Sequence, residues 1–199
     1  MTRRTGSVIL GLNGVLIACL VVFNSLVLPP QPKAAPRPLA VIGSMVGKVE
    51  VRKRGQASFE PVKMGLALSA GDEVRTGDFS ETTLFLRSAS TVTVTALTNF
   101  VVGKGQEVQK RSSFEVGEGR IMADIPRGTG QEYRFLSKGS DAVASVSKGE
   151  FSLATDGRGT VVVDTQKGEV KVEAKGRKVS VSKGKRSTIL PNRAPSKPR

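Results

Sequence analysis

The sequence predicts an all-β domain from about residue 41 to residue 190, built of short antiparallel or stacked strands in a twisted, solenoid-like or roll-like sheet. Three observations carry this. Apolar and polar residues alternate with period two beyond Ala40, the spacing of a strand with one buried face. Glycine-containing turns separate the runs, as at Arg54-Gly55, Gly71-Asp72, Thr76-Gly77-Asp78, Asp156-Gly157 and Lys175-Gly176. Outside the N-terminal apolar run, no stretch shows a helical period.

Taken from the N-terminus, residues 1–7 are a short polar start with Arg3 and Arg4. Residues 8–28 are almost wholly apolar, and at about 1.5 Å per residue they span roughly 31 Å, the thickness of a bilayer's hydrocarbon core. They are expected to form one transmembrane signal-anchor helix, with the flanking arginines favouring a cytoplasmic N-terminus and a periplasmic body. Two alternatives keep the same body outside the cytoplasm: cleavage of this segment, or lipidation at Cys19, since Leu16-Ile17-Ala18-Cys19 fits a lipobox. In residues 29–40, Pro29, Pro30, Pro32, Pro36 and Pro38 favour polyproline II, a semi-rigid spacer.

Within the body, alternation marks strands over Val46–Lys53, Glu81–Arg87, Thr91–Thr95, Arg120–Ile125, Glu132–Leu136, Glu150–Leu153, Glu169–Val172 and Lys178–Ser182. Gly103-Lys104-Gly105 and Gly117-Glu118-Gly119 read as further turns. An internal echo accompanies them. Gly47-Lys-Val-Glu-Val-Arg-Lys-Arg-Gly55 and Gly168-Glu-Val-Lys-Val-Glu-Ala-Lys-Gly176 share Gly, Val, Val and Gly at equal spacing. Recurrent strand-turn units suggest stacked coils, with a β-sandwich as the alternative. Residues 191–199, with Pro191, Pro195 and Pro198 and little apolar surface, are expected to be a basic disordered tail.

Charge is distributed unevenly. The net charge is +14, yet all 17 acidic residues lie between Glu50 and Glu173, a span that also holds 17 Lys and Arg. The excess sits at the ends, and after Glu173 nine basic residues occur with no acid. Arg177, Lys178, Lys183, Lys185 and Arg186 are therefore the candidate contacts for an anionic partner, either an envelope protein or an anionic cell-wall or lipid surface. The absence of Trp leaves few stacking platforms, so nucleic acid is not the expected partner.

The composition also argues against an enzyme. There is no His, hence no imidazole base, and the single Cys lies in the apolar run. Ser145-x-x-Lys148 and Ser180-x-x-Lys183 match the spacing of a serine acyl enzyme, but that chemistry needs the pair one helical turn apart, whereas i and i+3 in a strand face opposite sides. Asp72, Glu73 and Asp78 lack the loop spacing of a calcium site. Gly71, Asp72, Arg75 and Gly77 are read as a structural turn, with Asp72 accepting hydrogen bonds from its own backbone and Arg75 screening it. No cofactor, metal or small-molecule substrate is expected.

A family resemblance rests on the segment from Gly47 to Leu86. Gly47-x-Val-x-Val, then Phe59-x-Pro61-Val62-x-x-Gly65-x-x-Leu68-x-x-Gly71-Asp72-x-Val74-Arg75-Thr76-Gly77, then Ser80-x-x-Thr83-Leu84-x-Leu86 resemble the FecR domain of bacterial envelopes. Val116-Gly117-Glu118-Gly119-Arg120-Ile121, Gly149-Glu150-Phe151-Ser152-Leu153 and Gly168-Glu169-Val170-Lys171-Val172 fit its later strands more loosely. The resemblance implies an extracytoplasmic β domain that receives or scaffolds another envelope component. The siderophore-signalling members carry a cytoplasmic sigma-factor module and a C-terminal receptor-docking module. Here seven residues and a basic tail stand in their places. The expectation is therefore a membrane-anchored, non-enzymatic binding or scaffold module, with a regulatory component of iron-responsive transmembrane signalling as the alternative.

Overall fold

The computed structural model describes residues 38–106 and 110–199. The expected anchor at 8–28, Cys19 and most of the proline spacer lie outside the described residues. Among those described there is no α-helix, only fifteen strands and one 3-10 turn, Arg87–Ala89. The strands fall into two sheet regions facing each other across one core.

The first region contains β1 (Ala40–Val46), β4 (Ala67–Leu68), β6 (Glu81–Leu86), β7 (Thr91–Val94) and β12 (Gly149–Thr155). The second contains β2 (Val49–Arg52), β3 (Glu60–Pro61), β5 (Glu73–Thr76), β8 (Asn99–Gln106), β10 (Glu132–Ser137), β11 (Val143–Val146) and β14 (Arg177–Ser182). Two long strands, β9 (Arg111–Ile125) and β13 (Val161–Ala174), belong to both. The last strand, β15 (Arg186–Ile189), pairs with β13 in the first region. The order is β4-β1-β6-β7-β9-β12-β13-β15 in the first sheet. In the second it is β3-β2-β5-β8-β9-β10-β11-β13-β14. Every one of these pairings is antiparallel except β9 with β10, which is parallel. The arrangement is thus a roll of antiparallel strands passing between two layers. Stacked coils would require parallel neighbours throughout.

A strand that crosses between facing sheets must invert which side chains point inward, and the burial record shows where this happens. In β9 the buried positions are Ser112, Phe114 and Val116, then Ile121, Ala123 and Ile125, so the parity changes across Gly117-Glu118-Gly119. In β13 it changes between Thr165 and Val170. Gly117-Glu118-Gly119 is therefore a corner inside a strand, and not the hairpin turn expected from its glycines. Gly103 and Gly105 likewise lie within β8, at a bulge against β9.

The two echoed segments are equivalent corners. Gly47 (φ +72°) takes the chain from β1 into β2, and Gly168 (φ +77°) takes β13 from the first sheet into the second. Each is followed by inward Val residues, Val49 and Val51 in one case and Val170 and Val172 in the other. A Cβ at residue 168 would lie 2.8 Å from the Lys148 carbonyl oxygen, and its φ is one that L side chains rarely adopt. Gly168→Ala is expected to lower stability by about 1–3 kcal/mol, read as a fall of several degrees in Tm. A Tm unchanged within a degree would remove the corner's claim to be strained without glycine.

Four of the five buried aromatic rings of the core, Phe100, Phe114, Tyr133 and Phe135, lie on the second sheet, and Phe151 lies on the first. Val102, Phe114, Phe135, Ala144, Val172 and Val179 form one cross-strand row through β8, β9, β10, β11, β13 and β14. Phe114 stacks on Phe100 and Phe135 at centroid distances of 5.4 and 5.6 Å. Phe135 meets Phe151 of the facing sheet edge-on at 5.3 Å, which ties the layers together. The tail also departs from expectation. Beyond Leu190 the chain turns at Asn192 (φ +58°) and runs back along β15. Ser196 N–H donates to Thr188 O at 2.9 Å, Arg186 and Arg199 exchange backbone bonds of 2.9 and 3.0 Å, and Pro195 is buried. Backbone pairing supplies the order that the apolar content of residues 191–199 does not suggest.

Candidate functional site

The structural turn behaves as a turn, with one change of partner. Asp72 is buried and accepts hydrogen bonds from Ser69 N–H (2.9 Å), Arg54 N–H (3.0 Å) and Lys53 Nζ (2.8 Å). Burial pushes its carboxyl up, but the lysine and the two backbone donors outweigh this and hold it below the ordinary value. Arg75 takes no part. Position 75 points outward from β5, where the guanidinium donates to Glu50 at 2.8 Å. Lys53 supplies the counter-charge that Arg75 was expected to supply. Gly71 (φ +92°) precedes Asp72, and Gly77 bridges neighbouring segments, its N–H donating to Lys48 O and its carbonyl accepting from Leu97 N–H.

The outer face of the second sheet divides into two halves that differ in how their charges are paired. On β2, β5 and the start of β8 the outward charges form a closed set. Arg75 and Lys48 pair with Glu50, and Arg52 and Asn99 both donate to Glu73. Phe59 lies under both guanidiniums, at 4.9 Å from Arg52 and 4.1 Å from Arg75. The hydrogen bond from Arg75 is the chief reason that the Glu50 carboxyl lies below its usual range. Glu50, Arg52, Glu73 and Arg75 each have an opposite neighbour, and Asp72, Glu73 and Asp78 do not converge. Among the described residues no three His, Cys, Asp or Glu side chains could hold a metal ion.

The other half, on β9, β10, β11, β13 and β14, is open. Strand register aligns Arg134, Ser145, Lys171 and Ser180 in one row across β10, β11, β13 and β14. Three carboxylates near this row have partners of their own: Glu132 with Arg111 at 2.6 Å, Glu173 with Lys178 at 3.2 Å, and Glu169 with the Ser180 hydroxyl of the row itself at 2.9 Å. Arg134 and Lys171 have no ion pair among the described residues. They line a shallow groove of about 380 Å³ whose walls hold four basic side chains (Arg111, Arg134, Lys171, Lys178) and two acidic ones (Glu132, Glu173). Guanidinium, ammonium and hydroxyl donors on adjacent strands, with neighbouring side chains about 5 Å apart, suit carboxylate or phosphate groups.

The five tail residues do not form one patch. Lys178 lies on the groove. Arg177 begins β14, and Lys183 follows its end, six residues and about 20 Å away. Lys183 and Lys185 occupy the β14–β15 turn, while Arg186 on β15 donates to Asp164 at 2.5 Å, a bond that raises its pKa. Arg134 and Lys171 escape a reading of net charge because they sit within a span of equal acids and bases. Alternation alone places both on outward positions, but only the register shows which carboxylates have been claimed by other partners.

No family model matches the chain, and no curated protein matches it by sequence. Among solved structures, two crystal structures of a "putative anti-sigma factor" from Parabacteroides distasonis share its fold, at TM-scores of 0.53 and 0.54 and 14% and 13% identity. In both cases 63% of this chain is covered, and the match spans 59% of the other chain. At that identity the likeness shows the fold.

Proposed function

We propose that this protein is a non-catalytic binding module of the FecR type, held outside the cytoplasm by residues 8–28, which receives an anionic envelope partner on the open half of its second sheet. The observation that carries this is the Arg134–Lys171 row, two cations with no ion pair among the described residues, beside Glu132 and Glu173 that pair with Arg111 and Lys178. A rigid strand register holds such groups at fixed spacing, so a matching anion meets them with little loss of backbone freedom. Binding of polyphosphate, used as a generic polyanion, is expected to weaken about tenfold or more in the double variant Arg134→Gln, Lys171→Gln, and to weaken further with added salt. Changing Lys183 and Lys185 to Gln should matter less. Equal affinity of the double variant and the unaltered protein would overturn this assignment.

A second reading, a regulatory component of transmembrane signalling, draws on the fold shared with the anti-sigma-factor-like structures. It requires that deletion of residues 38–199 alter transcripts that depend on an extracytoplasmic sigma factor. An unchanged transcript profile would remove it.

A further inference from the structure

Each of the two sheets has two edges, and three of the four edges are blunted. β4 and β3 are two residues long, and β3 contains Pro61, which has no N–H to offer. β15 is covered by residues 196–199 of the same chain. The fourth edge, β14, is six residues long, and among the described residues nothing pairs with its far side.

Hairpin geometry fixes which groups that edge presents. Lys175 (φ +50°) and Gly176 (φ +71°) form the two-residue loop between β13 and β14, so Ala174 and Arg177 close it as a hydrogen-bonded pair. Pairs alternate along an antiparallel ladder, which makes Val172–Val179 and Val170–Val181 the next bonded pairs. The backbone groups of Lys178 and Ser180 therefore point away from the sheet, and neither residue makes any other backbone bond. Arg177, Lys178, Lys183 and Lys185 flank this edge, with Lys171 one strand in.

Resting on the reading of this face as a binding site, we propose that its partner is an extended acidic polypeptide segment that adds to β14 as a further strand. Main-chain bonds to Lys178 and Ser180 would hold the segment, and alternate acidic side chains would meet Lys178 and Lys171 on the outer face. A polyanion without a peptide backbone can satisfy only the second set.

The test uses the full chain and three probes: a ten-residue peptide alternating Val and Glu, the same peptide N-methylated at every second residue, and polyphosphate. The alternating peptide is expected to bind and to slow amide exchange at Lys178 and Ser180. N-methylation, or Ser180→Pro, should each weaken peptide binding at least about tenfold. Ser180→Pro removes an outward N–H on an edge strand, where proline is tolerated, together with the hydroxyl that donates to Glu169. Peptide affinity insensitive to both changes, or no peptide binding at all, would overturn strand addition. Loss of polyphosphate binding in Arg134→Gln, Lys171→Gln would still separate that failure from failure of the face itself. Should Ser180→Pro fail to fold, the N-methylated peptide decides alone.

Discussion

Phe114→Ala is expected to destabilise the domain by about 3–5 kcal/mol, a large share of the roughly 5–15 kcal/mol that holds a domain of this size folded. Phe114 is 1% exposed and sits mid-row in the second sheet, against Phe100, Phe135 and, at 6.4 Å, Tyr133. The truncation would leave a cavity walled by three rings attached to the two flanking strands, β8 and β10, and strand pairing prevents those strands from closing over it. Urea unfolding should show a lower midpoint at an unchanged slope. Phe114→Leu, which keeps most of the volume, should lose much less. A loss below about 1 kcal/mol for the alanine variant would mean that the aromatic row is not the centre of the core.

Asp72→Asn is expected to cost about 2–3 kcal/mol, because one of the two carboxylate oxygens that receive three donors becomes an NH2 group facing an N–H or an ammonium. The same carboxylate sets a pH dependence. Its folded pKa is lowered, so its contribution is present in full above the unfolded value near 3.8 and is lost as pH falls through the lower folded value. Acid unfolding followed by circular dichroism should therefore show the unaltered protein losing stability below about pH 4. In Asp72→Asn that part of the pH dependence should be absent. If the two proteins keep the same difference in stability from pH 7 to pH 2, Asp72 is not the titrating group.

Much of the fold was legible along the chain. The alternation in Glu81–Leu86, Thr91–Val94, Glu132–Ser137 and Arg177–Ser182 corresponds to observed strands, because each buries one face and exposes the other. β8, the first half of β9 and residues 161–168 of β13 were not legible. Gly103 and Gly105 look like a turn when the partner strand is unseen, and Val161-Val162-Val163 carries no alternation to count. The echo of Gly47 and Gly168 was visible as a repeat. Its meaning, two equivalent passages between layers, depends on which strands flank each glycine.

The site divides along the same line. Asp72 bonding within its own turn follows from Gly-Asp spacing, since Ser69 is three residues away. Its pairing with Lys53, the pairing of Arg75 with Glu50, and the unpaired state of Arg134 and Lys171 arise between residues far apart in the chain. By itself the sequence determined an all-β body, its principal turns and the crowding of positive charge after Glu173, because these depend on residue type and on contacts within a few positions. Only the tertiary structure decided which charges cancel, which sheet edge stays open and where the tail returns. Those outcomes rest on cross-strand register, and a shift of one residue there would exchange every inward and outward side chain.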